Sequence, residues 1–193
     1  MTTSSLNEGA SAPDPIPTRS WELPLPATEI KVRARLLVNA LRQQDPDAIA
    51  RATSVAASRR WVEPDTWTLT HCMNIVSAEA GFAHWDHARR VLGGEAATGD
   101  DAGTLWYDHA CGALTNQWFA RYDEARAILD ADPSLYLLPY RRQFVLADRY
   151  FIELLGLDPS IRPWDEIGRD LVGGYAAPAW YALALQRLRA MRK

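Results

Sequence analysis

Apolar residues recur at the α-helical period along most of this chain. Over 27–43, Ile30, Ala34, Leu37, Val38 and Leu41 share one face while Lys31, Arg35 and Arg42 face water, which predicts a first helix. Asp45-Pro46 then supplies an N-cap and a proline at the first helical position, the preferred opening of a second helix. That helix turns Ile49, Ala52, Val55 and Ala56 inward and ends near Arg59; a connector over 61–67 follows, broken by Pro64. A third helix opens at Thr68 or Thr70, carries Cys72, Ile75, Val76 and Ala80, and stops at Gly81, which adopts a left-handed conformation at little cost. Phe82 and Trp85 bracket a tight turn into a short helix over 85–92, closed by Gly93-Gly94.

The remainder is less regular. Residues 93–103 are small and acidic and read as a linker or mobile loop. Residues 105–120 match neither period. A helix is predicted over 122–131 with Ala125, Ile128 and Leu129 inward, ended by Pro133. From Pro139, the stripe Phe144, Ala147, Phe151 and Leu155 followed by Gly156 predicts a long helix with proline at its start. Pro163 opens a short helix through Leu171, in which Trp164-Asp165-Glu166 reads as a capped start. Pro178 opens the last, with Trp180, Leu183, Ala184, Leu188 and Met191 inward and a basic end (Arg187, Arg189, Arg192, Lys193) suited to the helix dipole. The fold class is therefore mainly α, a compact multi-helix domain, with a short strand pair within 105–120 and 135–138 as the β alternative. Residues 1–26 carry five prolines and read as an extended or unordered tail pinned by Trp21 and Leu23 or Leu25. The expected organisation is this tail, a four-helix module over 27–93, the 94–103 loop, and a C-terminal helical part over 104–193 packed on the module.

Composition narrows the class. At 48% apolar, 23% charged and net charge −3, the 193 residues suit one packed domain and give no basic excess for nucleic acid. No run reaches the roughly 18 apolar residues of a membrane span, and the first residues lack the basic start and apolar stretch of an export signal. Two cysteines are too few for a disulfide scaffold, so a cytoplasmic compartment is expected. Eight tryptophans read first as core, each burying a large area.

Leu36-Leu37, Ala40-Leu41-Arg42, Asp45-Pro46 and Ala48-Ile49-Ala50-Arg51, then Leu69 and Ala78-Glu79-Ala80-Gly81-Phe82-Ala83-His84-Trp85, carry a resemblance over about 30–93. This stretch is similar to a short helical module of bacterial multidomain proteins that often precedes ankyrin repeats or a glyoxalase-type domain. The resemblance implies a helical fold and no catalytic residues. Position 84, a small hydroxyl residue in the module, is His84 here; a neutral ring nitrogen can accept the same capping bond. No ankyrin pattern follows.

Candidate chemistry lies in two places. All four histidines and both cysteines fall between His71 and Cys111, residue types that ligate zinc, yet no CxxC or HExxH pattern orders them. His84, His87, His109 and Cys111 form the metal alternative, and Cys111 with His109, Asp108 and Asn116 the nucleophilic one; Cys72 reads as core. The second place is Tyr140, Arg141, Arg142 and Gln143, read as the donor-rich first turn of the long helix, with Trp118 as a stacking wall. Pairing of the two arginines with Asp123, Glu124 or Asp148 is the competing reading, as is core packing of Trp118 and Phe119. No catalytic residue and no cofactor is assigned. The first functional reading is a non-enzymatic module that binds a protein partner or a small acidic ligand through Trp118, Tyr140, Arg141, Arg142 and Gln143, with no nucleic acid and no membrane. The alternative is a small enzyme or metal-binding protein using the His71–Cys111 cluster.

Overall fold

A computed structural model describes residues 25–191. Its α1 (Leu25–Arg42), α2 (Pro46–Ser58), α3 (Leu69–Glu79) and α4 (Trp85–Leu92) follow the predicted elements closely. The first helix starts earlier than expected, taking in Leu25 and Pro26, while Trp21 and Leu23 lie outside the described residues. The starts of α2, α3 and α4 each have a side-chain cap. Asp45 Oδ1 accepts from the Asp47 and Ala48 amides at 2.9 and 3.1 Å, and Thr68 Oγ1 accepts from the His71 amide. Gly81 takes φ +92° after α3, and a Cβ there would lie 2.5 Å from Thr104 Oγ1. Only glycine fits this reversal.

Ile30, Ala34 and Leu41 of α1, Cys72, Ile75 and Val76 of α3, and Leu183, Ala184 and Leu188 of α8 (Pro178–Ala190) belong to one continuous core. Full burial of each large aliphatic chain contributes roughly 1.5–3 kcal/mol. Trp106, Trp164 and Trp180 complete this core. Leu105, Tyr136 and Leu138 from the second half lie in it too, so the two halves share an interior.

The second half departs from the helical expectation. Residues 136–147 are a hairpin, β2 (Tyr136–Tyr140) and β3 (Gln143–Ala147), and only Arg149–Leu154 is helical (α6). Short β1 (Gln117–Phe119) adds to β3, giving an antiparallel sheet of order β1-β3-β2, so a short β element is present. The predicted stripe was a coincidence of spacing. Leu138, Val145 and Ala147 face the main core, whereas Leu137, Phe144 and Leu146 face a second cluster with Ala125 and Leu129 of α5 (Tyr122–Ala131). Strands covered on both faces read as continuous apolar runs, which a helical template also matches. Asp148 Oδ1 then accepts from the Phe151 amide at 2.9 Å and starts α6.

One further expectation changes. The helix from Pro163 is only α7 (Arg162–Glu166), and its N-cap, Ile161, makes no side-chain bond. Gly168 and Arg169 take positive φ and end it, after which Leu137 and Asp170 form a parallel bridge. The 93–103 stretch is tied down: Tyr175 Oη accepts from the Ala96 amide at 3.1 Å, Asp101 Oδ1 from the Gly103 amide at 2.8 Å, and Gly81 O from the Thr104 amide at 2.8 Å.

Candidate functional site

The β2–β3 register pairs Tyr140 with Gln143, so Arg141 and Arg142 are the whole turn. They stand at a hairpin tip, and the helix start assigned to them does not exist. Arg141 takes φ +52°, at the turn position that ordinarily favours glycine. Its backbone is clamped from both sides: the Arg141 amide donates to Gly103 O at 2.7 Å, and its carbonyl accepts from the Ala102 amide at 2.9 Å. Arg141→Gly is therefore expected to leave stability level within about 1 kcal/mol, because relief of a left-handed L-residue offsets glycine's added chain entropy. A thermal melt checks this; a larger loss would mean the side chain itself holds the turn.

Around the tip the sheet gathers aromatic rings. Trp118 stands edge-on to Tyr140 at 5.2 Å, Tyr107 lies 5.0 Å from Tyr140 and 6.1 Å from Trp118, and the Arg141 guanidinium sits 5.7 Å from the Tyr140 ring. Trp118 is 41% exposed, so core packing does not describe it, whereas Phe119 packs against the α5 cluster. In place of the expected stack of Trp118 with an arginine, Arg141 lies over Tyr140 and Trp118 meets that same ring edge-on. Gln143 is exposed at the end of β3.

The carboxylates that were to neutralise the arginines are engaged elsewhere. Asp123 and Glu124 pair with Arg121, and Asp148 caps α6. Among the described residues neither Arg141 nor Arg142 forms an ion pair.

Behind the tip, the two arginines border a narrow cleft of about 50 Å³ whose other walls include the 96–102 loop, Pro139 and Phe144, with buried Trp106 and Trp180 as its inner lining. This exceeds the roughly 10–15 Å³ that one water requires. The Trp180 Nε1–H is buried and has no hydrogen-bond acceptor among the described residues. Asp100 also borders the cleft, but its Oδ2 accepts from the Ala97 amide at 3.0 Å and lies 3.6 Å from Arg90 Nη1.

The histidine–cysteine alternative is not assembled. His84 Nδ1 accepts from the His87 amide at 3.3 Å, the capping bond expected of it. His87 Nδ1 accepts from the Ala83 amide at 3.1 Å, so its proton resides on Nε2, 2.6 Å from the Asp101 carbonyl it donates to. Both ring nitrogens of His87 are thus used, leaving no lone pair for a metal. His71 Nδ1 accepts from the Thr68 amide, closing a capping box. His109 is exposed on a 3₁₀ turn (His109–Ala113), while Cys111 on that turn is fully buried. Burial pushes the Cys111 thiol up, opposite to what a nucleophile needs. Asn116 Nδ2 donates to the Cys111 and Leu114 carbonyls, not to an imidazole. Among the described residues no three His, Cys, Asp or Glu side chains gather as metal ligands, and no helix is long and apolar enough to cross a membrane.

Of the buried charged groups that the sequence did not reveal, Arg187 and Asp170 tie distant segments together. Arg187, read as part of a basic helix end suited to the helix dipole, is buried and donates to three backbone carbonyls. Asp170, 1% exposed, accepts from four donors of α5 and the following turn. The Gly173-Gly174 pair nearby is the one local signal of a crowded turn: a Cβ on Gly173 would lie 2.7 Å from Asp170 Oδ2.

Compared with protein-family models, curated proteins and solved structures, the chain matches none of them.

Proposed function

We propose that this chain is a cytoplasmic, non-enzymatic binding module that engages an acidic partner segment or small acidic ligand at the β2–β3 tip. The supporting observation is the pair of adjacent guanidiniums, Arg141 and Arg142, without a carboxylate partner among the described residues and set beside the half-exposed Trp118–Tyr140 wall. Arginine's planar fork suits bidentate capture of a carboxylate, and its face stacks on aromatic rings. The resemblance of 30–93 to a bacterial helical accessory module accords with this reading, in which the N-terminal helices are the scaffold that carries the tip.

An oligoglutamate peptide is the direct probe. Arg141→Ala/Arg142→Ala is expected to weaken its binding at least about tenfold at low salt, and added salt to weaken the wild type as well. The exposed positions should leave unfolding stability within about 0.5 kcal/mol. Equal affinity for wild type and double variant would remove the tip from the reading.

A further inference from the structure

A groove of about 200 Å³ between α1 and the first turns of α3 is lined by Lys31, Arg35, Leu69, Met73 and Trp85. None of these residues borders the cleft at the β2–β3 tip. Two of the five are cations. Lys31 Nζ stands 5.7 Å from the centre of the Trp85 ring, and among the described residues neither Lys31 nor Arg35 forms an ion pair. Glu29, the nearest carboxylate along α1, pairs with Arg33. The other three are apolar and open to solvent: Leu69 is exposed, and Met73 and Trp85 are half-buried. Val32, an i,i+3 neighbour of Arg35, is exposed as well. Apolar surface beside two unanswered cations suits a segment that carries a carboxylate among apolar residues.

The sequence ahead of α1 contains such a segment. Residues 1–24, outside the described structure, hold three carboxylates: Glu8, Asp14 and Glu22. Reach and neighbours choose between them. Lys31 and Arg35 lie six and ten residues along α1 from Leu25, about 9 and 15 Å by helical rise. Glu22, three residues before Leu25, reaches back at most about 10 Å, short of Arg35. Asp14, eleven residues before Leu25, can span up to about 36 Å. Glu8 reaches further but stands between Asn7 and Gly9, whereas Asp14 stands in Pro13-Asp14-Pro15-Ile16-Pro17. Because proline fixes φ, such a segment docks on aromatic and apolar walls with little loss of chain entropy.

We infer that residues 13–17 of the same chain cover this groove, with Asp14 on Lys31 and Arg35 and the prolines and Ile16 on Leu69, Met73 and Trp85. The tether raises the effective concentration of so short a segment to about millimolar, so a contact too weak for a free peptide persists within one chain. This surface is separate from the arginine tip and does not rest on its proposed role.

Cross-linking of the full chain reads the contact directly, because Lys31 and Lys193 are its only lysines. A carbodiimide joins a carboxylate to an amine in contact, and is expected to link Asp14 to Lys31, located by mass spectrometry of the tryptic peptides. In a mixture of ¹⁴N- and ¹⁵N-labelled protein the link should form within one isotope only. Mixed-isotope links would assign the groove to a second copy's segment and overturn the inference, as would a Lys31 link to Glu22 without one to Asp14. A nitroxide on Thr18→Cys is the second arm; Cys72 and Cys111 are buried and do not compete for the label. It should broaden the Leu69 and Met73 amide signals and the Trp85 indole signal. Lys31→Glu/Arg35→Glu is expected to lower the docked-to-free ratio at least about fivefold, and Asp14→Lys on that background to restore it. Asp14→Lys alone should release the segment, and it alters no residue of α1 to α8, so its reading does not depend on a destabilised core. Broadening at Arg141 and Arg142 in place of the groove refutes the assignment, as does a charge exchange that brings no recovery.

Discussion

Arg187→Met should lower the unfolding free energy by about 3–5 kcal/mol, seen as a large fall in the urea midpoint. The guanidinium donates from Nε to Leu105 O at 2.9 Å, from Nη1 to Leu155 O at 2.7 Å, and from Nη2 to Tyr107 O at 3.2 Å. It thereby joins α8, the end of α6 and the loop that enters the second half. Burial pushes its pKa down, and Asp108, 3.6 Å away, pulls it back up. Methionine fills much of the same volume but leaves three carbonyls without their donor, and each orphaned buried acceptor costs about 1–3 kcal/mol. Arg187→Lys keeps the charge yet offers one point where a fork spans three oxygens, so an intermediate loss is expected. A loss under about 1 kcal/mol in the methionine variant would show that the carbonyls find other donors.

Because the fold depends on such ties between distant segments, its legibility in the sequence is uneven. Helices α2 to α4 are written locally: Asp45, Thr68 and His84 stand where their side chains meet the first free amides, and Gly81 where the chain must reverse. The hairpin is different. Phe144, Ala147, Phe151 and Leu155 satisfy a helical spacing, and what separates strand from helix is a second core cluster contributed by α5, absent from any local window. Pairing 136–140 with 143–147 also requires Arg141 at positive φ, a conformation that nothing in an Arg-Arg pair announces. For the same reason residues 140–143, which read as a helix turn, form a hairpin tip, with Trp118 against Tyr140. The histidines misled by composition. Three of the four, His71, His84 and His87, accept from backbone amides at helix starts, a role equally open to Ser, Thr or Asp. Arg187 could not be found at all from its position, since its acceptors come from residues 105, 107 and 155.

The same logic of distant ties makes Asp170→Asn the second large effect, about 2–3 kcal/mol of lost stability. Oδ1 accepts from the Val172 and Gly173 amides, each at 2.8 Å, and Oδ2 from Tyr122 Oη at 2.7 Å and Arg126 Nη1 at 3.0 Å. An asparagine can keep its carbonyl on the two amides, but its NH₂ then faces two donors where the carboxylate faced two partners. Tyr122 and Arg126 lie four residues apart on one face of α5, so the anchor of that helix to the 170–173 turn is weakened. The pH dependence isolates this contact. Burial, followed by the bond to Asp170, pushes the Tyr122 hydroxyl up to about 12, against about 10 in the unfolded chain. The folded protein therefore keeps a proton that the unfolded chain has lost between those values. Its contribution is complete below pH of about 10, declines as pH rises, and is gone above about 12. Removing the Asp170 charge drops the Tyr122 value toward 10, though burial still holds it above. The asparagine variant should accordingly show a shallower loss of stability across that alkaline window, with tyrosinate absorbance appearing earlier. Tyr136, Tyr175 and Tyr181 are also raised by burial, but they are common to both proteins and cancel in the comparison. Identical slopes for wild type and Asp170→Asn would mean that Tyr122 ionises without regard to Asp170, and the hydrogen bond between them would carry none of the anchoring assigned to it.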